Sequence, residues 1–402
     1  MIPKLHYYNP GHETVVLHGS PHYTPSANVR KMQQDLALLP LWYAAEGDYV
    51  LTEGEAPPGF ILSIPQEIRP DVTILPLKHA VEKGPALPHM AATPWGLSPQ
   101  SIHLYKRLRD EYKLTIDIPE WNEEYRTLTG RQTASGCYRK IQESLPGIAF
   151  PPAPLFFTQP ETIEAWISRH PGRFVIKTPY SSSGRGLLWL DKNELTAKDK
   201  AWIRGAIQRQ GGISIEPALK KQTDFALEFH LDKLRNIRFE GLSVFTTSER
   251  GSYKENILKS EDKLLKELVS ATGADTFRLI KIKTAETIRN VFGGHYTGYI
   301  GVDMLLYETP EKKLAIHPCI EINMRYTMGM TAIRLFKKYI HPDAEGICTI
   351  AFEKNPSALL QFHKRMKKEY PPRIEGRKFR AGYLSLCPVD VNTNYIAYLV
   401  VR

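Results

Sequence analysis

Short apolar segments between turn signals characterise the first 125 residues of the chain. Segments such as 49–51 and 72–76 have the length of strands. From Ser101 onward, apolar residues recur with the spacing of a helix. Strands and helices that alternate in this way predict a small α/β domain over residues 1–125.

A different pattern begins at Ile148, where strand-like segments follow one another more closely. A helical stretch ends at Pro146 and Gly147, and the sequence next predicts a strand, a helix and a strand over 155–157, 161–169 and 173–177. Further segments of strand character are 214–215, 225–231, 238–246, 297–306 and 314–323. Several strands in succession predict an antiparallel sheet. The fold class predicted for the whole chain is therefore α/β to α+β.

Two helices and a strand pair are predicted toward the C-terminal end. Apolar residues of segment 260–273 fall on one helical face, and Gly273 is the expected stop of that helix. A later helix is predicted after Pro356, with Ser357 as its N-cap. The apolar segments 379–386 and 395–401 predict a final strand pair.

The composition narrows the class of protein. With 402 residues, of which 42% are hydrophobic, the chain is large and apolar enough to fold around more than one core, which excludes a disordered protein. The net charge of +10 favours an anionic partner, such as a nucleotide, an acidic metabolite, a nucleic acid or a membrane. The densest basic run fits the solvated face of a terminal helix; it comprises Lys364, Arg365, Lys367 and Lys368.

The longest apolar stretch, residues 36–45, is half the length of about 20 residues that a membrane-spanning helix needs. The first residues lack the apolar run of a signal peptide. The 4 cysteines are far apart and form no Cys-x-x-Cys pair, which indicates neither a zinc site nor a disulfide framework. We therefore expect no membrane span and a cytoplasmic location.

The segment 174–186 carries the strongest chemical signal. A buried strand delivers Lys177, and a loop rich in serine and glycine follows at once. Small residues let backbone N–H groups approach phosphate oxygens closely, and the lysine supplies a point charge for the same group. The segment predicts a triphosphate site that is not a Walker loop. A flexible connection between two strands is the alternative interpretation.

Two further strands each carry an embedded acid. Glu321 and Asn323 lie two positions apart, so that both side chains point to one face of a strand. Asp303 can reach the same place from the neighbouring strand. These oxygen donors suit Mg²⁺, as one ion or as a pair that bridges substrate phosphates. The alternative is a set of polar residues on the wet face of a sheet, although the apolar flanks of both strands favour burial.

The segments 213–219 and 224–229 lie between the lysine and its loop on one side and the two acidic strands on the other. With these three parts in this order, the chain resembles the ATP-grasp superfamily over roughly residues 126–350. The resemblance implies a two-subdomain ATP-grasp fold after the N-terminal domain. It implies nucleotide contacts from a strand lysine, a phosphate loop, an adenine hinge and a ribose acid, namely Lys177, Ser182, Ser183, Gly184, Gly186, Glu216, Ala218, Leu219 and Asp224. It implies Mg²⁺ ligands at Asp303, Glu321 and Asn323, with Arg325 neutralising the transferring phosphoryl group and Lys254 as another phosphate-contacting lysine.

The resemblance leaves two points open. Family members usually carry a further basic residue near the start of the helix before the first grasp strand, and both Arg131 and Lys140 qualify here. Several ligases of the family have a basic residue two positions before the aspartate, where this chain has Gly301. Either Arg325 covers that role, or stabilisation of the transition state differs in detail.

The implied division of the chain comprises an N-terminal substrate domain, grasp subdomains A and B and a C-terminal strand pair, over residues 1–125, 126–213, 214–370 and 371–402. The N-terminal turn at residues 8–13 is either a substrate loop or a structural turn. His295 faces the same choice between a substrate contact and a loop position.

The function implied by the resemblance is an ADP-forming ligase that uses ATP and Mg²⁺ to join a small-molecule carboxylate to an amine or a thiol. A grasp-fold kinase with the same ATP residues is the first alternative. A non-catalytic basic protein that binds nucleic acid or another partner is the second, but that function leaves the acids at Asp303 and Glu321 unexplained. We expect small-molecule partners, no nucleic acid and no membrane.

Overall fold

The computed structural model of the protein describes residues 2–181, 186–191, 194–249 and 251–402. Ser182, Ser183 and Gly184 of the predicted phosphate loop lie outside the described residues. The chain forms two compact units. The first unit comprises Met1–Asn122, Lys254–Lys263 and Arg325–Arg402, and the second comprises Glu123–Tyr253 and Leu264–Met324. The four-part division drawn from the resemblance stays a prediction.

Strands in the described residues are numbered in chain order. They are β1 (Lys4–Tyr7), β2 (Tyr49–Thr52), β3 (Thr73–Pro76), β4 (Met90–Pro94), β5 (Ile116–Asp117), β6 (Leu155–Phe157), β7 (Phe174–Lys177), β8 (Leu187–Leu190), β9 (Ile213–Pro217), β10 (Lys220–Leu231), β11 (Ile237–Thr247), β12 (Tyr253–Leu258), β13 (Gly298–Glu308), β14 (Leu314–Asn323), β15 (Gly346–Phe352), β16 (Arg373–Glu375), β17 (Lys378–Ser385) and β18 (Tyr395–Val401).

The α-helices of the same residues are α1 (His12–His18), α2 (Ala27–Asp35), α3 (Pro58–Ser63), α4 (Leu77–Lys83), α5 (Pro99–Asp110), α6 (Glu124–Thr129), α7 (Arg131–Ser144), α8 (Pro160–Arg169), α9 (Ala197–Gln210), α10 (Glu261–Thr272), α11 (Ala274–Phe292), α12 (Met328–Tyr339) and α13 (Pro356–Glu369). Among the described residues, no helix is long and apolar enough to cross a membrane.

The N-terminal part of the first unit is a parallel sheet with the strand order β3-β2-β1-β4-β5. Leu5 on β1 is fully buried and belongs to a core that α5 closes with Tyr105 and Leu108. The Tyr105 hydroxyl donates to the Leu5 carbonyl oxygen at 2.9 Å, which satisfies a buried polar group in the middle of this core. The predicted α/β architecture is confirmed for this part of the chain.

The turn after β1 is held by backbone contacts. Asn9 is buried, and its side chain donates to the Gly96 carbonyl oxygen at 2.7 Å and accepts from the Gly96 N–H at 3.1 Å. This pair of bonds ties the residues after β1 to those after β4. Gly11 has φ of +78°, a left-handed conformation that favours glycine. At Asn9 and Gly11 the turn therefore has a structural role.

The C-terminal part of the first unit is antiparallel. β12 pairs with β15, β15 with β18, β18 with β17, and β17 with β16. The predicted pairing of the last two apolar segments is confirmed by the register of β17 and β18. The predicted N-cap of α13 is wrong, because Asn355 caps the helix and its side-chain oxygen accepts from the Ser357 N–H at 3.0 Å. Pro356 fits the first helical position, since it has no N–H that needs a partner there.

The second unit contains two sheets. The first has the order β6-β9-β7-β8, with β9 antiparallel to both β6 and β7. Its core includes Ile163 and Ile167 of α8 and Ile203 of α9. In the second sheet β10 lies between β11 and β13, and β13 also pairs with β14, all antiparallel as the sequence predicts.

Replacing the observed cap of α13 should loosen this helix locally. Asn355→Ala removes the acceptor of the Ser357 N–H, so we expect the amides of α13 to exchange about fivefold faster, equivalent to about 1 kcal/mol. Ser357→Ala is the matched control and should change exchange less than about twofold. Hydrogen exchange followed by mass spectrometry measures both variants. A larger effect from Ser357→Ala would restore the cap predicted from the sequence.

Candidate active site

The centre of the candidate site is a buried ion pair in the second unit. β7 is buried along its whole length and ends at Lys177, whose ammonium contacts the Glu216 carboxylate on β9. The two strands are antiparallel with Lys177 opposite Ser214 and Val175 opposite Glu216, so the charged residues are diagonal neighbours on one face. Their side chains are 7% and 11% exposed. The contribution of the Glu216 side chain was not foreseen from the sequence, which assigned this residue to the hinge.

A buried histidine lies close to this pair. The ring of His317 on β14 stacks on Tyr138 of α7, with centroids 4.6 Å apart and an interplanar angle of 25°. Burial lowers the pKa of His317 to about 4; Glu216 opposes this shift and Lys177 adds to it. The imidazole is therefore neutral at physiological pH. Sequence analysis missed His317, and its only signal was a His-Pro pair inside an apolar strand.

The loop after Lys177 is anchored where the structure describes it. The Thr178 N–H donates to the Gly186 carbonyl oxygen at 2.9 Å, which brings the two ends of the loop together. A Cβ added to Gly186 would lie 2.2 Å from Thr178 Oγ1 and 2.5 Å from Ser181 Cβ. Glycine is therefore required at 186 by the close approach of the two loop ends.

Arg131 joins this loop to β14. It is the first residue of α7, and its backbone N–H donates to the Pro179 carbonyl oxygen at 3.1 Å. Its side chain donates from Nε to Thr178 O at 3.0 Å, and from Nη2 to Ser181 Oγ at 3.2 Å and to Glu321 Oε2 at 3.2 Å. Lys140, the alternative candidate, is exposed further along the same helix. Arg131, and not Lys140, thus contacts described residues of the predicted phosphate loop, and a phosphate contact by Arg131 stays a prediction.

The three predicted metal ligands lie together on β13 and β14. Asp303 is directly opposite Glu321, and Asn323 is opposite Gly301. Asn323 Nδ2 donates to Asp303 Oδ2 at 3.1 Å. Within the part of the chain that the structure describes, no group of three His, Cys, Asp or Glu side chains is placed to hold a metal ion. Two carboxylates with an amide nevertheless form a donor set that fits Mg²⁺, which completes its octahedron with phosphate oxygens and waters.

An irregularity separates the acids from His317. The pairing register of β13 and β14 shifts between Asp303 and Leu305, because Leu305 is opposite His317 while Asp303 is opposite Glu321. Pro318 lies in the extra segment of β14, and proline, which has no N–H, occurs within sheets mainly at bulges and edge strands. This bulge changes which residues of β13 and β14 lie opposite each other, and the sequence pattern alone did not predict it.

The predicted ribose acid and hinge have partners of their own. Asp224 Oδ2 on β10 accepts from Lys221 Nζ at 2.7 Å and from Thr247 Oγ1 at 2.8 Å. In the hinge, the Ala218 N–H donates to the Arg173 carbonyl oxygen at 2.9 Å, and Leu219 O accepts from the Lys221 N–H at 2.9 Å. These bonds hold the connection from β9 to β10 in a fixed backbone conformation.

Comparison with known proteins identifies the fold. No family model and no curated protein matches the chain. Among solved structures, the chain is similar over 99% of its length to 87% of the biotin carboxylase of Campylobacter jejuni in complex with β,γ-ATP, with a TM-score of 0.52 and 14% identity. It is similar over 100% to 87% of the biotin carboxylase domain of the Hydrogenobacter thermophilus 2-oxoglutarate carboxylase, with a TM-score of 0.51 and 12% identity.

A third similar structure is the carboxyaminoimidazole ribonucleotide synthase of Aspergillus clavatus in complex with ATP, at a TM-score of 0.50 and 11% identity over 100% of this chain and 94% of that one. The chain has an ATP-grasp fold. The fold expected from the order of the sequence segments is therefore confirmed. The roles of individual residues within this ATP-grasp fold stay predictions.

The two residues predicted to be catalytic, Arg325 and Lys254, belong to the first unit. Arg325 Nε donates to Glu13 Oε1 at 2.7 Å, and Arg325 Nη1 donates to the Tyr326 carbonyl oxygen at 3.2 Å. Burial raises the pKa of the Glu13 carboxyl, but His12 and Arg325 beside it hold that pKa well below its usual range. Lys254 is exposed on β12. His295 contacts Glu124 in the second unit, so this loop histidine has a carboxylate partner.

The buried His317 should make the stability of the protein depend on pH. Its pKa of about 4 in the folded state is below its ordinary value of 6.5, so the unfolded state takes up the proton first as pH falls. The stabilisation is complete above pH 6.5 and is lost toward pH 4. Between pH 7 and 5, we expect wild type to lose on the order of 2 kcal/mol more than His317→Gln.

Urea denaturation of both proteins at the two pH values measures this difference. Comparing wild type with His317→Gln cancels the contribution of the other histidines, which both proteins share. A urea midpoint that falls equally steeply with pH in the two proteins would contradict the assignment.

Proposed function

We propose that the protein is an ATP-dependent, ADP-forming ligase that activates a carboxylate as an acyl phosphate for attack by an amine. One observation carries the proposal: a single side chain, Arg131, bonds both the loop residue Ser181 and the acid Glu321. A basic group, a small-residue loop and an acidic pair thus converge on one place in the second unit. This combination suits the handling of a polyphosphate with its metal ion.

The charges of the site suit phosphoryl transfer. Such a transfer needs positioned cations more than covalent chemistry, because negative charge spreads over the phosphoryl oxygens in the transition state. Lys177 and Arg131 supply this positive charge from buried or nearly buried positions, where electrostatic interactions are stronger than in water. Asp303, Glu321 and Asn323 would hold Mg²⁺, which supplies charge neutralisation at the phosphates.

The proposed reaction has two steps. An oxygen of the substrate carboxylate attacks the γ-phosphorus, the bond between that phosphorus and the bridging oxygen breaks, and ADP leaves. An amine nitrogen then attacks the acyl carbon, the bond to the phosphate oxygen breaks, and inorganic phosphate leaves as the nitrogen loses a proton. In this chain Lys177 and Arg131 would orient and neutralise the phosphates.

The similar structures support the same class of reaction. The Campylobacter jejuni and Aspergillus clavatus proteins are described as complexes with β,γ-ATP and ATP. The Hydrogenobacter thermophilus domain is described in complex with MgADP and bicarbonate. By analogy we propose ATP and Mg²⁺ as the cofactors of this chain, with a small carboxylate or a related oxyanion and an amine as substrates.

Thermal stabilisation by a non-hydrolysable ATP analogue tests the proposed site. A ligand that binds only the folded state raises stability by mass action, so wild type should melt at higher temperature when both analogue and Mg²⁺ are present. Glu321→Gln should lose the part of this shift that depends on Mg²⁺, because one carboxylate charge of the metal site is removed. We also expect a loss of at least about 10²-fold in ATP turnover.

Lys177 needs a paired variant. Lys177→Ala leaves Glu216 buried without its cation, which is itself strongly destabilising. The double variant Lys177→Ala/Glu216→Gln removes the charge on both sides, so it should fold and still fail to bind the analogue. The exposed Lys198→Ala on α9 is the control and should behave as wild type. Full turnover in the purified Glu321→Gln or double variant would refute the site.

The product distinguishes the alternatives. Phosphate release that requires both a carboxylate and an amine identifies a ligase, whereas a stable phosphorylated acceptor formed without an amine identifies a kinase. If no nucleotide stabilises the protein, binding to nonspecific DNA that falls steeply with salt concentration would favour a basic nucleic-acid-binding protein.

A further inference from the structure

We propose that Arg131 couples metal binding at Glu321 to polyphosphate binding beside Ser181. This inference rests on the proposed function and adds that the metal and the polyphosphate strengthen each other's binding. The metal binds weakly alone and tightly together with the polyphosphate. The physical basis is one guanidinium group that contacts both partners.

The position of Arg131 is fixed by the fold. Its backbone starts α7 and bonds the Pro179 carbonyl oxygen, and its Nε bonds the Thr178 carbonyl oxygen at 3.0 Å. The side chain is 10% exposed, so it has little freedom to move away into solvent. The terminal Nη2 is therefore held 3.2 Å from both Ser181 Oγ and Glu321 Oε2. The guanidinium stays at the boundary between the loop and the acids.

The electrostatics of the acids follow from this contact. Asp303 and Glu321 are directly opposite each other and carry two negative charges, of which the guanidinium offsets one. A divalent cation that arrives alone must compete with Arg131 for Glu321, and it meets the repulsion of a nearby positive charge. Metal binding without phosphate is therefore weakened.

A polyphosphate reverses this competition. Guanidinium groups bind phosphate oxygens in a bidentate manner and form strong charge-assisted hydrogen bonds with them. A phosphate beside Ser181 thus gives Arg131 a second anionic partner, and the attraction of Glu321 for a divalent cation rises. By linkage, the metal strengthens polyphosphate binding by the same factor.

The other buried cation lacks this property. Lys177 is paired with Glu216, which is on a different strand from the proposed metal ligands. Removing Lys177 would weaken phosphate binding without freeing a metal ligand. Arg131 is therefore the residue whose loss should have opposite effects on the two ligands, with free metal bound more tightly and polyphosphate more weakly.

Manganese alone is the probe for the first effect. Mn²⁺ binding to the full chain without nucleotide, followed by electron paramagnetic resonance, should be about tenfold tighter in Arg131→Gln than in wild type. Arg139→Gln removes the same charge from an exposed position on α7 and should leave the affinity for Mn²⁺ unchanged. Arg131→Lys keeps the charge and should bind Mn²⁺ as weakly as wild type.

The double variant Arg131→Gln/Glu321→Gln locates the effect. It should lose the gain in Mn²⁺ affinity, because the gain acts through the Glu321 carboxylate. Circular dichroism shows whether the variants are folded. If Arg131→Gln does not fold, Arg131→Met, which keeps the aliphatic part of the side chain, replaces it. An unchanged or weaker affinity for Mn²⁺ in the folded variant, or a gain that persists in the double variant, overturns the inference.

A nucleotide arm separates this inference from the proposed function. Wild type should be stabilised more by Mn²⁺ and the ATP analogue together than by the sum of the two alone, and Arg131→Gln should lose this excess. If wild type shows no metal-dependent stabilisation by the analogue, the proposed function fails and the coupling fails with it. If wild type shows the excess but Arg131→Gln retains it, only the coupling is overturned.

Discussion

The ion pair of Lys177 and Glu216 is the constraint on which the candidate site depends. A lysine at the end of a fully buried strand is tolerated only with an anionic partner, because an unpaired buried charge costs several kcal/mol. The partner is available because β9 runs antiparallel to β7 with Glu216 one diagonal step away. The chemistry of the site and the pairing of its central strands thus require each other, and a shift of register by one residue would break both.

The acids on β13 and β14, unlike the Lys177–Glu216 pair, bring like charges together. Asp303 and Glu321 are like charges at directly opposite positions, which destabilises a sheet. The Asn323 amide and the Arg131 guanidinium each donate to one of them and reduce this repulsion. A sheet selected only for stability would not keep such a pair. The arrangement agrees with the predicted metal site, in which a bound cation would offset both charges.

Local patterns made much of this predictable from sequence. The period of two along a strand placed Glu321 and Asn323 on one face, and the apolar flanks of both acidic strands favoured burial. The sequence could not predict how segments that are distant along the chain pair with each other. The contact of Lys177 with Glu216 depends on strand order, the choice between Arg131 and Lys140 depends on where α7 begins, and the bulge at Pro318 depends on how β14 meets β13. None of these leaves a periodic signature in the chain.

The two carboxylate–cation pairs differ in a way that bears on their roles. The Lys177–Glu216 pair is sealed, with side chains 7% and 11% exposed, so exchange of its partners would strand a charge in a region of low dielectric. Glu321 is 28% exposed although Arg131 is 10% exposed, so that its carboxylate can be reached by a cation from solvent while Arg131 stays in place. The buried Lys177–Glu216 pair therefore holds β7 and β9 in place, and the Arg131–Glu321 pair is the one that a ligand can reach.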